Sequence, residues 1–469
     1  MKHTNKILLT TLVSIILQCG SSMAQPSYNS ALAEIPNIVN TVGIVRAYSP
    51  NFMVTCYYDN TPSIKSYFLI MNNVMTTASS QAIKLSNMEI VTDMRIFNGY
   101  VYFCGADNNS NACYGFVDIS DFRWSPPIPP TTNVEYRELG VPANRSRLTK
   151  MQVYFDGADE RLVAIGTEYI PPAGSSSLIP ATTTNSYALH RDYEYFLVEC
   201  ANPRNPSPVM NYLLVNWDNN DERPTDMVLT NSYLAVVGFD ETNYTPVYIH
   251  KCQKNDVINT FNNRYLYAVQ ACISNPGPAC CAMDPDVIAI ANLTCDPYNY
   301  YNGITTHVVK LQSMTNTSHQ EFKTSDKTDL YEMVYYPANQ ELVMLTHYIF
   351  LPTSTIDDHV FLRMKPYLSV PYMALGVVED FINEYRSIDK LGTDFFVATN
   401  GGYGFVKHAL AESTPPSCYK IDTWPIQVND PVTIIPDTPV YDKDIMTVNR
   451  RPLSDPYNTP SINLPCLQY

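Results

Sequence analysis

The stretch "DNNSNACYGFVD" places Asp107, Asn109, Asn111 and Asp118 at positions 1, 3, 5 and 12 of a calcium-loop template. Oxygen donors at that spacing let a short loop wrap a hard cation. Two features oppose the match: Ala112 occupies the sixth position, where the sharp turn needs Gly, and Asp118 stands where a longer bidentate Glu belongs. The flanks are β-prone, so a polar hairpin turn is the expected structure, and calcium is the one cofactor the residues suggest. "WDNNDERP" offers Asp218, Asn220 and Glu222 with less support.

Aromatic residues supply the second candidate chemistry. "CDPYNYYNG" sets Tyr298, Tyr300 and Tyr301 among Asn, Asp and Gly, and a tyrosine ring offers a sugar an apolar face and a polar edge. The chain carries 35 Tyr, however, so the same residues also fit ordinary packing. Ser387-Ile388-Asp389-Lys390 matches a Ser-x-x-Lys spacing, which works only where a helical turn stacks the Lys under the nucleophile. Its neighbours are β-prone, so the match reads as chance. His190, His250, His307, His319, His347, His359 and His408 are scattered, and Asp357-Asp358 precede His359. Zinc-type Cys/His clusters, nucleophile elbows and phosphate-binding loops are absent from the sequence.

These residues are carried by a repeat. "DMRIFNGYVYFCGADNNSNACYGFVDI" from Asp93 and "DMVLTNSYLAVVGFDETNYTPVYIHKC" from Asp226 share an Asp-Met pair, a short turn, a β run, a polar loop and a closing β run. Further copies begin near Val45, Lys150, Ala282, Glu332 and Asp389. Taking the Met or its equivalent at 94, 151, 227, 283, 333 and 390 as marker, units recur every 50 to 76 residues. An isolated four-stranded sheet cannot bury both its faces, whereas sheets set radially pack on one another. The expected fold is therefore all-β, a single β-propeller of about seven blades, within a range of six to eight. One polar loop per unit is then expected on a common face.

The propeller is expected over residues 25–412, with residues 25–44 supplying a strand that closes the ring. Residues 413–469 hold ten Pro and only short β-prone pieces; Pro at that density interrupts ladder pairing, so they are expected to form an extended tail packed on the ring. Cys104 and Cys113 flank an eight-residue connection between strands expected to be neighbours, which makes them a candidate disulfide. Cys418 and Cys466 are candidates to pin the tail.

The N-terminus sets Lys2, His3 and Lys6 before an apolar stretch over residues 7–17 and Ser22-Met23-Ala24 before Gln25. This is the order of a secretory signal peptide over residues 1–24. A lipid-modified Cys19 is the rival, opposed by Gln18 where a small residue belongs. No later segment approaches the ~18 apolar residues of a membrane helix. The net charge of −15, without a basic block, makes the chain a poor partner for nucleic acid or an anionic membrane surface, so no nucleic-acid partner is expected.

Leader, Tyr-rich composition and blade rhythm over residues 45–410 together resemble the exported β-propeller proteins of Bacteroidetes. The resemblance implies a periplasmic, cell-surface or extracellular location. It supplies no catalytic motif, because such proteins include enzymes and sugar-binding modules alike. The expected function is a binding or interaction module for a glycan or a protein partner. The alternative is a glycan-active hydrolase or lyase with carboxylates from different blades. Asp93, Asp226, Glu332 and Asp389 share the marker region and are expected either to line one rim or to cap turns between blades.

Overall fold

The computed structural model describes residues 30–34, 43–59, 66–73, 80, 82–122, 134–139, 145–169, 193–216, 222–240, 245–261, 263–267, 277–295, 301–323, 328–349, 357–367, 377–378, 384–392, 394–400, 403–409, 419–420, 427–429, 434–437, 440–446, 448–453 and 463–468. Residues 1–24, where a leader is expected, lie outside them. Among the described residues, helix is confined to a 3-10 turn at Ile119–Asp121 and one turn at Val257–Thr260. Everything else regular is antiparallel β.

Seven sheets of three to five strands follow one another along the chain. Blade I runs Ile44–Ser49, Phe52–Asp59, Ser66–Asn73 and Ile83–Leu85. Blade II runs Met88–Phe97, Tyr100–Asp107, Ala112–Asp118 and Val134–Leu139. Blade III runs Ser146–Phe155, Glu160–Tyr169, Tyr193–Ala201 and Met210–Asn216. Blade IV runs Glu222–Leu229, Tyr233–Asp240, Thr245–Gln253 and Asn263–Tyr267. Blade V runs Ala279–Asp284, Val287–Cys295, Tyr301–Lys310 and Thr315–Lys323. Blade VI contains Thr328–Tyr336, Glu341–Ile349 and Asp357–Met364, and blade VII contains Glu384–Leu391, Asp394–Asn400 and Tyr403–Ala409. The first strand of every blade touches the first strand of the next, and that of blade VII touches that of blade I, so the ring is closed. Its fastening is the strand Ser30–Glu34, which pairs with Tyr403–Ala409 as the fourth strand of blade VII.

The core is a set of apolar layers, one between successive blades, rather than a single cluster. "YLAVVG" shows why its strand is apolar throughout. Leu234 and Val236 pack toward blade III, while Ala235 and Val237 pack toward blade V. Period-2 alternation sends successive side chains to opposite faces, and here both faces are covered. Burying a Leu or Val side chain in such a layer contributes about 1.5–3 kcal/mol.

Five first strands carry a β-bulge at the same place, skipping Thr92, Thr149, Thr225, Tyr331 and Arg386. The bulge swings the first strand's backbone toward the second. A Cβ on Gly105 would run into the carbonyl of Ile90, and one on Gly238 into that of Arg223. The recurring glycine at the end of the second-strand run answers that close approach.

The C-terminal segment is more ordered than its Pro content suggests. Gln427–Asn429, Ile434–Asp437, Val440–Met446 and Val448–Leu453 add the outermost strand to blades V, IV, III and II in turn, against the order of the chain. Asn463–Gln468 then pairs with Ser30–Glu34 in blade VII. The segment is a girdle built from edge strands, the one place in a sheet where Pro436 and Pro452 are tolerated.

The disulfide expected between Cys104 and Cys113 is corrected. Cys104 lies opposite Tyr114 and Cys113 opposite Gly105, one position out of step. Their side chains therefore take opposite faces of blade II, Cys104 toward blade III and Cys113 toward blade I, and both thiols are free and buried. Cys418 and the side chain of Cys466 lie outside the described residues.

Candidate functional site in the axial channel

The bulge defines one structural position, the residue directly after it. Asp93, Lys150, Asp226, Glu332 and Ser387 occupy it in blades II, III, IV, VI and VII. Asp93 Oδ1 accepts from the N–H of Met94 at 2.8 Å, and its Oδ2 accepts from the N–H of Met151 in blade III at 3.1 Å. Asp226 repeats this with Met227 at 2.9 Å and with Cys280 of blade V at 2.8 Å. Glu332 Oε2 accepts from the N–H of Ile388 at 2.9 Å and from the Ser387 hydroxyl at 2.7 Å, both in blade VII. Blade VII reaches blade I in turn, with the N–H of Val45 donating to Ser387 Oγ at 3.4 Å and that of Ala47 to Asp389 Oδ2 at 2.7 Å. The repeated carboxylates bridge blades through backbone N–H groups rather than capping turns.

These contacts also correct the repeat. The equivalents of Met94 in blades V and VII are Cys280 and Ile388, so the markers at 283 and 390 lie three and two residues too far along. Ser387 and Lys390 sit three apart on a strand, hence on opposite faces. The geometry a Ser-x-x-Lys enzyme needs is absent from this pair.

Cations complete the layer. Arg46 Nη2 lies 2.6 Å from Asp93 Oδ1 and 3.3 Å from Glu332 Oε1, joining blades I, II and VI across the axis. Its Nε donates to Met94 O at 2.6 Å, and Nη1 donates to Ser387 Oγ at 3.1 Å. Lys150 Nζ stands 3.8 Å from Asp226 Oδ1 and 3.7 Å from Glu332 Oε1. Arg95 Nη2 stands 3.2 Å from Asp93 Oδ2. Burial by itself would raise the Asp93 carboxyl, but Arg95 and Arg46 outweigh it and hold the group below its ordinary value. Glu332 is likewise held low by Arg46 and Lys150 against its burial. Burial wins at Asp226 and Asp389, whose carboxyls are raised despite Lys150 and Arg46 respectively.

A cavity of about 330 Å³ lies on the axis beside this layer, toward the C-terminal ends of the first strands. All seven blades contribute to its wall, and its polar side chains are Arg46, Arg95, Gln152, Asp226, Glu332 and Asp389. Gln152 Nε2 donates to Met227 O at 2.8 Å, which fixes the amide across the boundary between blades III and IV. Of these groups the sequence singled out only the carboxylates. Arg46, Arg95 and Gln152 carry no spacing signal, because each comes from a different blade and meets the others only when the ring closes.

The other candidates are not gathered into sites. Asp107 Oδ1 accepts from the N–H groups of Asn109 at 2.9 Å and Asn111 at 3.0 Å, a turn closed on itself. Asp118 ends the strand that Ala112 begins, six extended residues or about 20 Å away. There it caps the 3-10 turn by accepting from the N–H of Ser120 at 2.8 Å. The four residues therefore do not converge on one ion, and no group of three or more metal-binding side chains occurs among the described residues. His307 and His319 face each other across blade V with rings 4.6 Å apart, and His347 pairs with His359 in blade VI. Tyr298, Tyr300 and the side chain of Tyr301 lie outside the described residues, as do Asp218 and Asn220.

No family model matches the chain, and no curated protein matches it. Among solved structures, the chain is similar to the Dos1 propeller at 8% identity and a TM-score of 0.41, over 83% of this chain and 96% of that one. It is similar to a Mycobacterium tuberculosis puromycin-hydrolyzing peptidase at 10% identity and a TM-score of 0.44, over 83% of this chain and 55% of that one. A GH43 endo-arabinanase from Bacillus licheniformis aligns at 9% identity and a TM-score of 0.28, over 68% of this chain and 93% of that one. Likenesses this loose carry no argument about activity, and the propeller rests on its own strand pairing.

Proposed function

We propose that this protein is an exported, non-catalytic binding module that seats the end of a glycan in the axial cavity. The observation that supports the reading is the prior commitment of every acidic group on the cavity wall. Asp226 accepts from the N–H groups of Met227 and Cys280 and pairs with the Lys150 ammonium at 3.8 Å; Glu332 accepts from Ser387, Ile388 and Arg46 and pairs with Lys150 at 3.7 Å; Asp389 accepts from the N–H of Ala47. A wall whose charges neutralise one another has little to offer a charged ligand, which would have to break existing ion pairs. It presents donors and acceptors side by side, the arrangement that vicinal hydroxyls match. A cavity of 330 Å³ falls at the small end of ligand sites, suiting one or two sugar rings. Export rests on the order of residues in the leader.

One observation favours a hydrolase instead. Asp226 and Glu332 meet the same Lys150 ammonium, and their carboxyls are shifted in opposite directions, as an acid and its partner would be. Backbone N–H groups already hold both oxygens of Asp226 in a bridge between blades, a structural task that the protonation cycle of a catalytic acid would disturb, so binding is the better reading. A glycan array followed by an assay for released reducing ends separates the two. Retention without release is the expected result; release that Glu332→Gln abolishes would replace the binding module with an enzyme.

A further inference from the structure

Beyond the cavity, the first strands end in residues that differ sharply around the rim. Blades I, II and III contribute Tyr48, Phe97 and Phe155, while blade V ends in the exposed Asp284. Tyr48 is 44% and Phe155 53% exposed, unusual values among the described aromatic residues, most of which are buried. The rings of Phe97 and Phe155 meet across the boundary of blades II and III at 5.0 Å, tilted by 59°. All three residues follow closely on cavity-wall residues of their own strands: Ala47 before Tyr48, Ile96 before Phe97, and Gln152 before Phe155.

We infer that this aromatic arc is a second subsite, which carries the next sugar rings of a glycan whose end occupies the axial cavity. The inference rests on the proposed glycan reading and adds to it the direction and length of the ligand. The C–H face of a pyranose packs on an exposed aromatic ring, and a tilted pair supplies a face and an edge at one place. A folded protein partner is the poorer occupant. Three part-exposed rings supply only a few hundred Å² of apolar surface, against the roughly 800 Å² per partner of a stable interface. The arc covers only one side of the rim, so the glycan leaves the axis over blades I to III.

The test compares ligand lengths. Free glucose, galactose, mannose and xylose, and their linear di- to tetrasaccharides, are titrated calorimetrically into the wild type and into Phe155→Ala and Tyr48→Ala. Both replaced side chains are exposed enough for the variants to fold, which an unchanged unfolding midpoint verifies. For the wild type, the tetrasaccharide is expected to bind more tightly than its monosaccharide. In Phe155→Ala that gain is expected to fall about tenfold while monosaccharide affinity stays unchanged. A length-dependent gain that survives in both variants overturns the arc and leaves the cavity standing. Equal losses for short and long sugars also overturn it, since a subsite acts only on ligands long enough to reach it. A wild type that binds no sugar of any length removes the cavity reading and the arc together.

Discussion

Asp93 shows what a single repeated residue does in this molecule. It is fully buried, bridges two first strands through backbone N–H groups, and pairs with Arg46 and Arg95. Asp93→Ala leaves two guanidinium groups without that carboxylate, one of them buried, and should destabilise the protein by about 3–5 kcal/mol in urea unfolding. A loss below about 1 kcal/mol would show that the bridge is structurally idle. The same layer sets a pH dependence. Glu332 and Asp93 have folded values below 4.5 and 3.8, so their contribution is whole above those values and lost as acid drives the pH through the depressed folded values. Asp226 and Asp389 act in the opposite sense, their raised values costing stability as pH climbs from 3.8 toward the folded values. Replacing Glu332 by Gln should therefore flatten the loss of stability between about pH 5 and about pH 3. An unchanged slope in denaturant midpoints across that range would remove Glu332 from the account.

At the scale of elements, the notable device is the girdle. Asn463–Gln468 covers the outer side of Ser30–Glu34, whose inner side is paired to Tyr403–Ala409. The first and last described strands thus meet in blade VII, and the strand that closes the ring is held from two sides. Deleting residues 454–469 should leave the rest of the ring folded while opening that strand to exchange. Amide protection across Ser30–Glu34 is expected to fall at least about tenfold, with blades III and IV unaffected. Protection that stays level would mean that the inner pairing alone secures the closure. The existence of these elements was legible: alternation and turns announced the hairpins, and the closing strand was expected from residues 25–44. The girdle was not, because Pro at high density weighs against ladders in general, whereas an outermost strand needs only one hydrogen-bonding edge. The bulges were also hidden, since a skipped residue leaves no compositional trace.

For the whole molecule, the layered core decides the fate of the cysteines. Cys56, Cys104, Cys113, Cys200, Cys252, Cys280 and Cys281 are all buried and free. Burial raises each thiol, with Cys104 and Cys200 pushed up to about 12, so thiolate is scarce at neutral pH. Native protein treated with iodoacetamide should carry no label at these seven positions, and unfolded protein should carry it at all of them. Labelling of Cys104 or Cys113 under native conditions would contradict the blade packing; a Cys104–Cys113 disulfide in unreduced peptide maps would contradict the register of blade II.

The sequence by itself determined the class of fold, because alternation, turn residues and the recurrence of an Asp-Met unit are local properties that survive without neighbours. It also pointed to Asp93, Asp226, Glu332 and Asp389 as a set, since like residues repeat in the letters; the first three share the position after the bulge, while Ser387 takes it in blade VII and Asp389 lies two residues further on. Their partners were decided only by the tertiary structure. Arg46 meets Glu332 across 286 residues of chain, and Ser387 meets Val45 across 342. No pattern along the chain encodes which blade will stand next to which ring of charges once the first and last blades join. The cavity exists for the same reason: its wall takes between one and three residues from each of seven blades, and closure of the ring alone brings them to one axis.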